Sequence, residues 1–230
     1  MKRTKDGKNK YIALAMGNIA LLGGIDAIVN SENTKLDMDR PQEKSVSAAI
    51  NRYASTWRIM QNNPSEFEID KELLKEELRK IRKTRANIEI GDIFHTSSGA
   101  LADNLKIRCV LHVVTVGLGR NYVPGSYIQL GRCVTNLLTY VDQLNKSKKT
   151  YKLNPITTLA IPIFATGKGG IASITPVAQR MVDRAIDYLE CTATSYVDTV
   201  YFVGYVEDAY RELRAILETL DKDVIKVQDV

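Results

Sequence analysis

The chain has 230 residues, 44% of them hydrophobic and 26% charged, with a net charge of +5, which suffices for one domain with a substantial core. No apolar run is long enough to span a bilayer, and the basic, polar start (Lys2, Arg3, Lys5, Lys8, Lys10) lacks the apolar stretch of a secretory signal, so a cytoplasmic protein without a membrane partner is expected. Cys109, Cys133 and Cys191 form neither a CxxC pair nor a zinc-ligand set; all three read as buried small apolar residues, and neither a metal nor a cofactor is expected.

Residues 1–10 read as a basic flexible segment and residues 11–16 as a first strand. Residues 25–29 form a second strand ending in the polar Asn30-Ser31-Glu32-Asn33. A helix is expected over 45–53, and 55–64 carries no clear pattern. Residues 70–85 read as a charged helix within an insertion of about 65–86, with Asp70 as its cap and Leu74, Leu78 and Ile81 as a narrow apolar stripe. Residues 88–93 are expected to be extended, before a turn at Ser97-Ser98-Gly99. The β-branched run 108–116 is a buried strand. Ser126, with Gln129 three residues on, opens a long helix through a capping box, and 145–149 reads as a polar loop. Residues 158–164 form another buried strand, running into the glycine-rich Ala165-Thr166-Gly167-Lys168-Gly169-Gly170. Thr175 and Pro176 give start signals for the next helix. A strand over 199–203, an amphipathic helix over 208–220 and a polar tail over 221–230 complete the chain. Near-continuous apolar strands alternating with helices predict a largely parallel sheet covered on both faces.

Ligands of such sheets bind beyond the carboxyl ends of the strands. Two polar segments occupy that position: Asn30 to Asn33, and the glycine-rich loop. Glycine lets backbone N–H groups turn toward a phosphate, and the start of a following helix favours negative charge. The loop is neither a Walker loop nor a GxGxxG turn.

The order of these segments resembles the macro domain family. Met16-Gly17-Asn18-Ile19 followed by Asp26-Ala27-Ile28-Val29-Asn30-Ser31-Glu32-Asn33 resembles the family's opening. The run from Leu105-Lys106 to His112-Val113-Val114 is similar to its central strand, and Ile161 to Gly170 to its second phosphate loop. Val200-Tyr201-Phe202-Val203, with Ala209-Tyr210, matches its last strand and helix. The resemblance covers about residues 11–220. It implies a three-layer α/β/α fold around a mixed, largely parallel sheet, and a cleft for ADP-ribose or a derivative. It further implies that Asn18 and Ile19 meet the adenine, that Asn30, Val46 and Ser47 lie beside the ligand, and that Asn33 meets the distal ribose. By the same likeness, Ala165, Thr166, Gly167, Lys168, Gly169, Gly170 and Ile171 surround the diphosphate, and Tyr205 packs on the adenine.

The departures are as informative. Where the family carries a run of glycines, residues 34–45 contain none. The acid tied to hydrolysis in part of the family falls on Ser47, a poor base unless another group activates it. Asp37 and Asp39 either replace that acid or form a solvated surface pair. Arg40 and Lys44 either contact phosphate or belong to a solvated loop. His112 reads as a satisfied core histidine, and Trp57 as a packing residue. The leading expectation is a reader or sensor of ADP-ribose, or of an ADP-ribosylated macromolecule. The alternatives are an ADP-ribosyl hydrolase, with Asn33 and Ser47 as the catalytic candidates, and nucleic-acid binding through the basic helix at 71–85, which is disfavoured.

Overall fold

The computed structural model describes residues 9–60, 63–118, 122–166 and 173–220. Strand β1 (Tyr11–Met16) leads through a short 3-10 turn to β2 (Ala27–Asn33) and helix α1 (Val46–Ala54). A hairpin of β3 (Thr56–Met60) and β4 (Asn63–Lys71) follows, then α2 (Leu73–Lys83), β5 (Ile93–Thr96), α3 (Leu101–Leu105) and β6 (Cys109–Leu118). The second half contains β7 (Tyr122–Pro124), α4 (Tyr127–Ser147), α5 (Lys149–Leu153), β8 (Thr158–Pro162), α6 (Ile174–Cys191), β9 (Thr199–Gly204) and α7 (Glu207–Thr219).

The main sheet runs β1-β9-β8-β2-β6, all parallel, with β5 and β7 antiparallel to β6. Its central strands are buried on both faces, which explains their unbroken apolar sequences. On β2, Ala27 and Val29 face a core built with α4, α6 and α7, while Ile28 faces the core shared with α1 and α2. The result is three layers, α/β/α. The pairing of β2 with β6 shifts register between Glu32 and Asn33, leaving Thr115 as an extra residue on β6.

Helix α4 starts as its sequence dictates: Ser126 Oγ accepts from Gln129 N and the Gln129 side chain accepts from Ser126 N. Leu130, Val134, Leu137, Leu138 and Val141 are fully buried along one face, each contributing roughly 1.5–3 kcal/mol of apolar transfer as an upper figure.

Several local expectations are corrected. Asn30 to Asn33 does not lie beyond β2 but forms its end, because β6 supplies hydrogen-bond partners that a polar sequence alone does not reveal. Residues 55–64 fall largely within the β3–β4 hairpin. Asp70 lies in β4; Glu72 holds the N-cap position of α2, and its carboxylate accepts from Asn51 instead of capping. Thr175 sits inside α6 and bonds Glu212, while Ser173 occupies the cap position without a capping bond. Only Ile93 of the stretch 88–93 is in a strand. Residues 145–147 continue α4: Asn145 is fully buried and exchanges two hydrogen bonds with the Ile156 backbone, at 2.8 and 2.9 Å. The strand expected to reach Phe164 stops at Pro162. Cys191 is exposed, unlike Cys109 and Cys133. Trp57 is 45% exposed on the hairpin, beside Ile59 and Phe67, and is not a core residue. Among the described residues, no helix is long and apolar enough to cross a membrane.

Candidate functional site

A cleft of about 650 Å³ opens at the carboxyl ends of β2, β8 and β9, closed at its sides by the start of α1 and the first turns of α6 and α7. That size suits a nucleotide-scale ligand. Parallel strands deliver their last residues to one edge, and the loops leaving β2, β8 and β9 form its rim.

On the β2 side, Asn30 and Glu32 point to the same face as His112 of β6, the register placing Asn30 opposite His112. The three form a buried polar cluster. Asn30 Nδ2 donates to Glu32 Oε1 at 2.6 Å, and His112 Nδ1 lies 3.2 Å from that oxygen. His112 Nε2 lies 3.0 Å from Thr96 Oγ1, whose hydroxyl donates to the Ser97 carbonyl. With Thr96 donating to the Ser97 carbonyl, its hydroxyl oxygen is left to accept from His112 Nε2. Burial pushes the Glu32 carboxyl above its usual range; the His112 contact opposes that rise and the Asp39 charge adds to it.

The loop after β2 folds onto itself. Asn33 Oδ1 accepts from Lys35 N and Asn33 Nδ2 donates to Asp37 O, an Asx-type turn. Asn33 lines the cleft with one donor hydrogen and one lone pair still available. Ser45 caps α1 by accepting from Ala48 N and donates to Asp39 Oδ2 at 2.5 Å. Ser47 Oγ accepts from Asp39 N. The Ser47 hydroxyl is therefore engaged in holding the Asp39 backbone.

Of the residues expected at a site, Asn30, Asn33, Val46, Ser47, Ala165, Thr166 and Tyr205 line this cleft together. Ala165 adopts φ +57°, which aims the chain off the end of β8. Asn18 and Ile19 are not among the lining residues. The Asn18 side chain accepts from Ala20 N and so caps the 3-10 turn, and Ile19 is fully buried. Gly167, Lys168, Gly169, Gly170 and Ile171 fall outside the described residues. Ser31, Glu32 and Ser45 also line the cleft without having been assigned to it from the sequence, as do Asp37, Asp39 and Lys44, for which the sequence left a site role and a solvated loop both open. For Glu32 a signal existed: it stands two residues from Asn30 in a strand, hence on the same face. Asp37 and Asp39 both border the cleft, Asp37 with its side chain largely exposed to solvent and 3.9 Å from Lys75 Nζ. Among the described residues, no group of three or more His, Cys, Asp or Glu side chains is placed to hold a metal ion.

The family model described as Macro domain matches residues 71–180. No curated protein matches the chain. Among solved structures, a Trypanosoma brucei macrodomain in complex with ADP is 22% identical with a TM-score of 0.63, covering 90% of this chain and 69% of that one. The T. brucei macrodomain in complex with ADP-ribose is 21% identical with a TM-score of 0.61, over 94% and 76% of the two chains. An Oceanobacillus iheyensis macrodomain with ADP is 20% identical with a TM-score of 0.62, over 88% and 87%. The shared architecture is the three-layer fold with its mostly parallel sheet.

Proposed function

We propose that this chain, a member of the macro domain family, binds ADP-ribose or a close derivative in the cleft at the ends of β2, β8 and β9, and acts as a reader of that ligand. The observation that carries this reading is the gathering of Asn30, Asn33, Val46, Ser47, Ala165, Thr166 and Tyr205, from four separate segments, around one cleft of about 650 Å³. Two solved structures of similar fold hold ADP, and one holds ADP-ribose. In this reading, Asn33 and Asn30 meet the sugar end, Ala165 and Thr166 meet the diphosphate, and Tyr205 packs at the nucleobase end. Backbone amides near the start of α6 favour the diphosphate charge. The chain acts in the cytoplasm, and its macromolecular partner is a molecule carrying ADP-ribose.

Reading is preferred to hydrolysis because Ser47 offers no carboxylate and its hydroxyl oxygen already accepts from Asp39 N. The test is calorimetric titration with ADP-ribose, with AMP and NAD as controls. Micromolar or tighter binding, lost in Thr166→Glu, is expected. Absence of heat from a folded sample would remove the reading. Release of ADP-ribose from a modified protein, abolished by Asn33→Ala, would replace reader by hydrolase.

A further inference from the structure

The β2 side of the cleft differs chemically from the part lined by the ends of β8 and β9. Asn30 lines the cleft, is fully buried, and leaves its side-chain oxygen without a hydrogen-bond partner. Its nitrogen donates to Glu32 and lies 3.4 Å from His112 Nδ1, so what Asn30 offers to a ligand is a bare acceptor. Glu32, 2% exposed, adds carboxyl oxygens beside it. Asp37 and Asp39 carry the acceptor surface outward along the loop after β2. Among the described lining residues the one cation beside these three carboxyl groups is Lys44, and Lys75, outside the lining, lies 3.9 Å from Asp37. The residues brought by the ends of β8 and β9, including Pro162, Ile163, Ala165 and Val203, are apolar.

A buried acceptor without a donor is costly, and a ligand donor placed against it recovers that cost. The wall therefore selects by hydrogen-bond polarity. A phosphate group would bring only further acceptors and more negative charge. A sugar hydroxyl brings one donor and no charge. A guanidinium brings five N–H donors in a planar fork, a positive charge and no acceptor, matching several acceptors spread over one wall.

We propose that the β2 wall is a subsite for a guanidinium group joined to the ligand's sugar, so that the cleft as a whole takes an ADP-ribosylated guanidine in preference to free or phosphorylated ADP-ribose. Asn30 Oδ1 and the Glu32 carboxyl form the floor of the subsite, and Asp37 and Asp39 supply its charge. This inference rests on the cleft being an ADP-ribose site.

The experiment is calorimetry on the full chain with three probes: ADP-ribose, ADP-ribosyl-agmatine and ADP-ribose 1″-phosphate. The guanidine conjugate is expected to bind roughly tenfold or more tighter than ADP-ribose, and the phosphate roughly tenfold weaker, as single charge-assisted contacts dictate. Asn30→Ala should shrink the guanidine preference. Because Asn30 is a core position, the double substitution Asp37→Asn with Asp39→Asn, which leaves the buried floor intact, tests the same point; it should also shrink the preference and relieve the rejection of phosphate. Equal affinities, a preference for the phosphate, or an undiminished preference in the double variant would overturn the inference while leaving the ADP-ribose site standing. Failure of all three probes to bind would overturn both.

Discussion

Two glycines offer the same perturbation in different surroundings. Gly204 ends β9 and lies under the start of α7; a Cβ added there would sit 2.5 Å from both the backbone nitrogen and the Cα of Tyr210, and 2.7 Å from its Cβ. Carbon atoms pack at about 3.5–4.0 Å, so the contact is short by about 1 Å. The obstacle is helix backbone, which cannot rotate aside, so α7 as a whole must move off the sheet. Overpacking of this kind costs about 1–3 kcal/mol, and the upper end applies to Gly204→Ala. For a chain of this size that corresponds to a Tm lower by roughly 6–12 °C. Gly131 of α4 is the control. A Cβ there would also be too close to a neighbour, 2.6 Å from Arg180 Cγ, but that atom belongs to a flexible side chain that can swing away. Alanine in a helix interior gains about 0.5–1 kcal/mol over glycine, so Gly131→Ala should melt within about 3 °C of the parent. Differential scanning calorimetry of both variants decides the matter, and titration with ADP-ribose adds a second readout, since Val206 and Ala209 at the start of α7 line the cleft. A Gly204→Ala protein melting within about 2 °C of the parent, or a Gly131→Ala protein falling as far as Gly204→Ala, would refute the reasoning.

Three further outcomes are expected. Asn145→Ala strands both the N–H and the carbonyl of Ile156, and should cost about 2–4 kcal/mol, two unsatisfied buried groups at about 1–3 kcal/mol each with partial relaxation; urea denaturation measures it. At Asp26, burial alone would push the carboxyl upward, but bonds from Thr157 and Thr158 and the nearby Arg108 hold it below its usual value of 3.8. Its contribution to stability is thus complete above that value and lost as pH falls through the lower, folded one. Asp26→Asn should therefore be less stable at pH 7 and lose less stability than the parent on acidification, as thermal melts across pH will show. Glu32 behaves oppositely: burial raises its carboxyl above the usual 4.5, so its contribution is full below that value and declines as pH rises through the folded one. Glu32→Gln should flatten the stability curve across that window, and an unchanged curve would mean that Glu32 does not titrate there.

Much of the fold was legible because its signals are local. The apolar runs of β1, β6, β8 and β9 need no partner to be recognised, and the capping box at Ser126 works within four residues. What escaped depends on distant chain. Asn30 to Asn33 is strand only because β6 pairs with it, and the β3–β4 hairpin lacks the Asn-Gly or Asp-Gly turn that would announce it. The cap positions near Asp70 and Thr175 went astray because neighbouring polar residues compete for the same role. The cleft residues from Asn30, Ser47, Thr166 and Tyr205 were placed by the order of segments, whereas Glu32 was hidden in a polar run whose sidedness appears only once it is a strand. Asn18 illustrates the reverse case, since its bond to Ala20 N is local, two residues along.

The register shift in β2 separates two tasks within one chain. Up to Glu32 the strand is locked to β6 residue for residue, and a one-residue slip there would turn every side chain to the wrong face. Beyond the shift, Asn33 ends the strand, and the loop that follows combines bonds of its own, from Lys35 and to Asp37, with bonds to β6, α1 and α2. Mismatch in length is absorbed at the joint by the extra residue on β6 and is not passed into the sheet. The loop after β2 is anchored by Leu36 and Met38, which are buried in the core shared with α1 and α2, so the exposed charges between these anchors can be exchanged, naturally or by engineering, without re-threading the strands that hold the protein together.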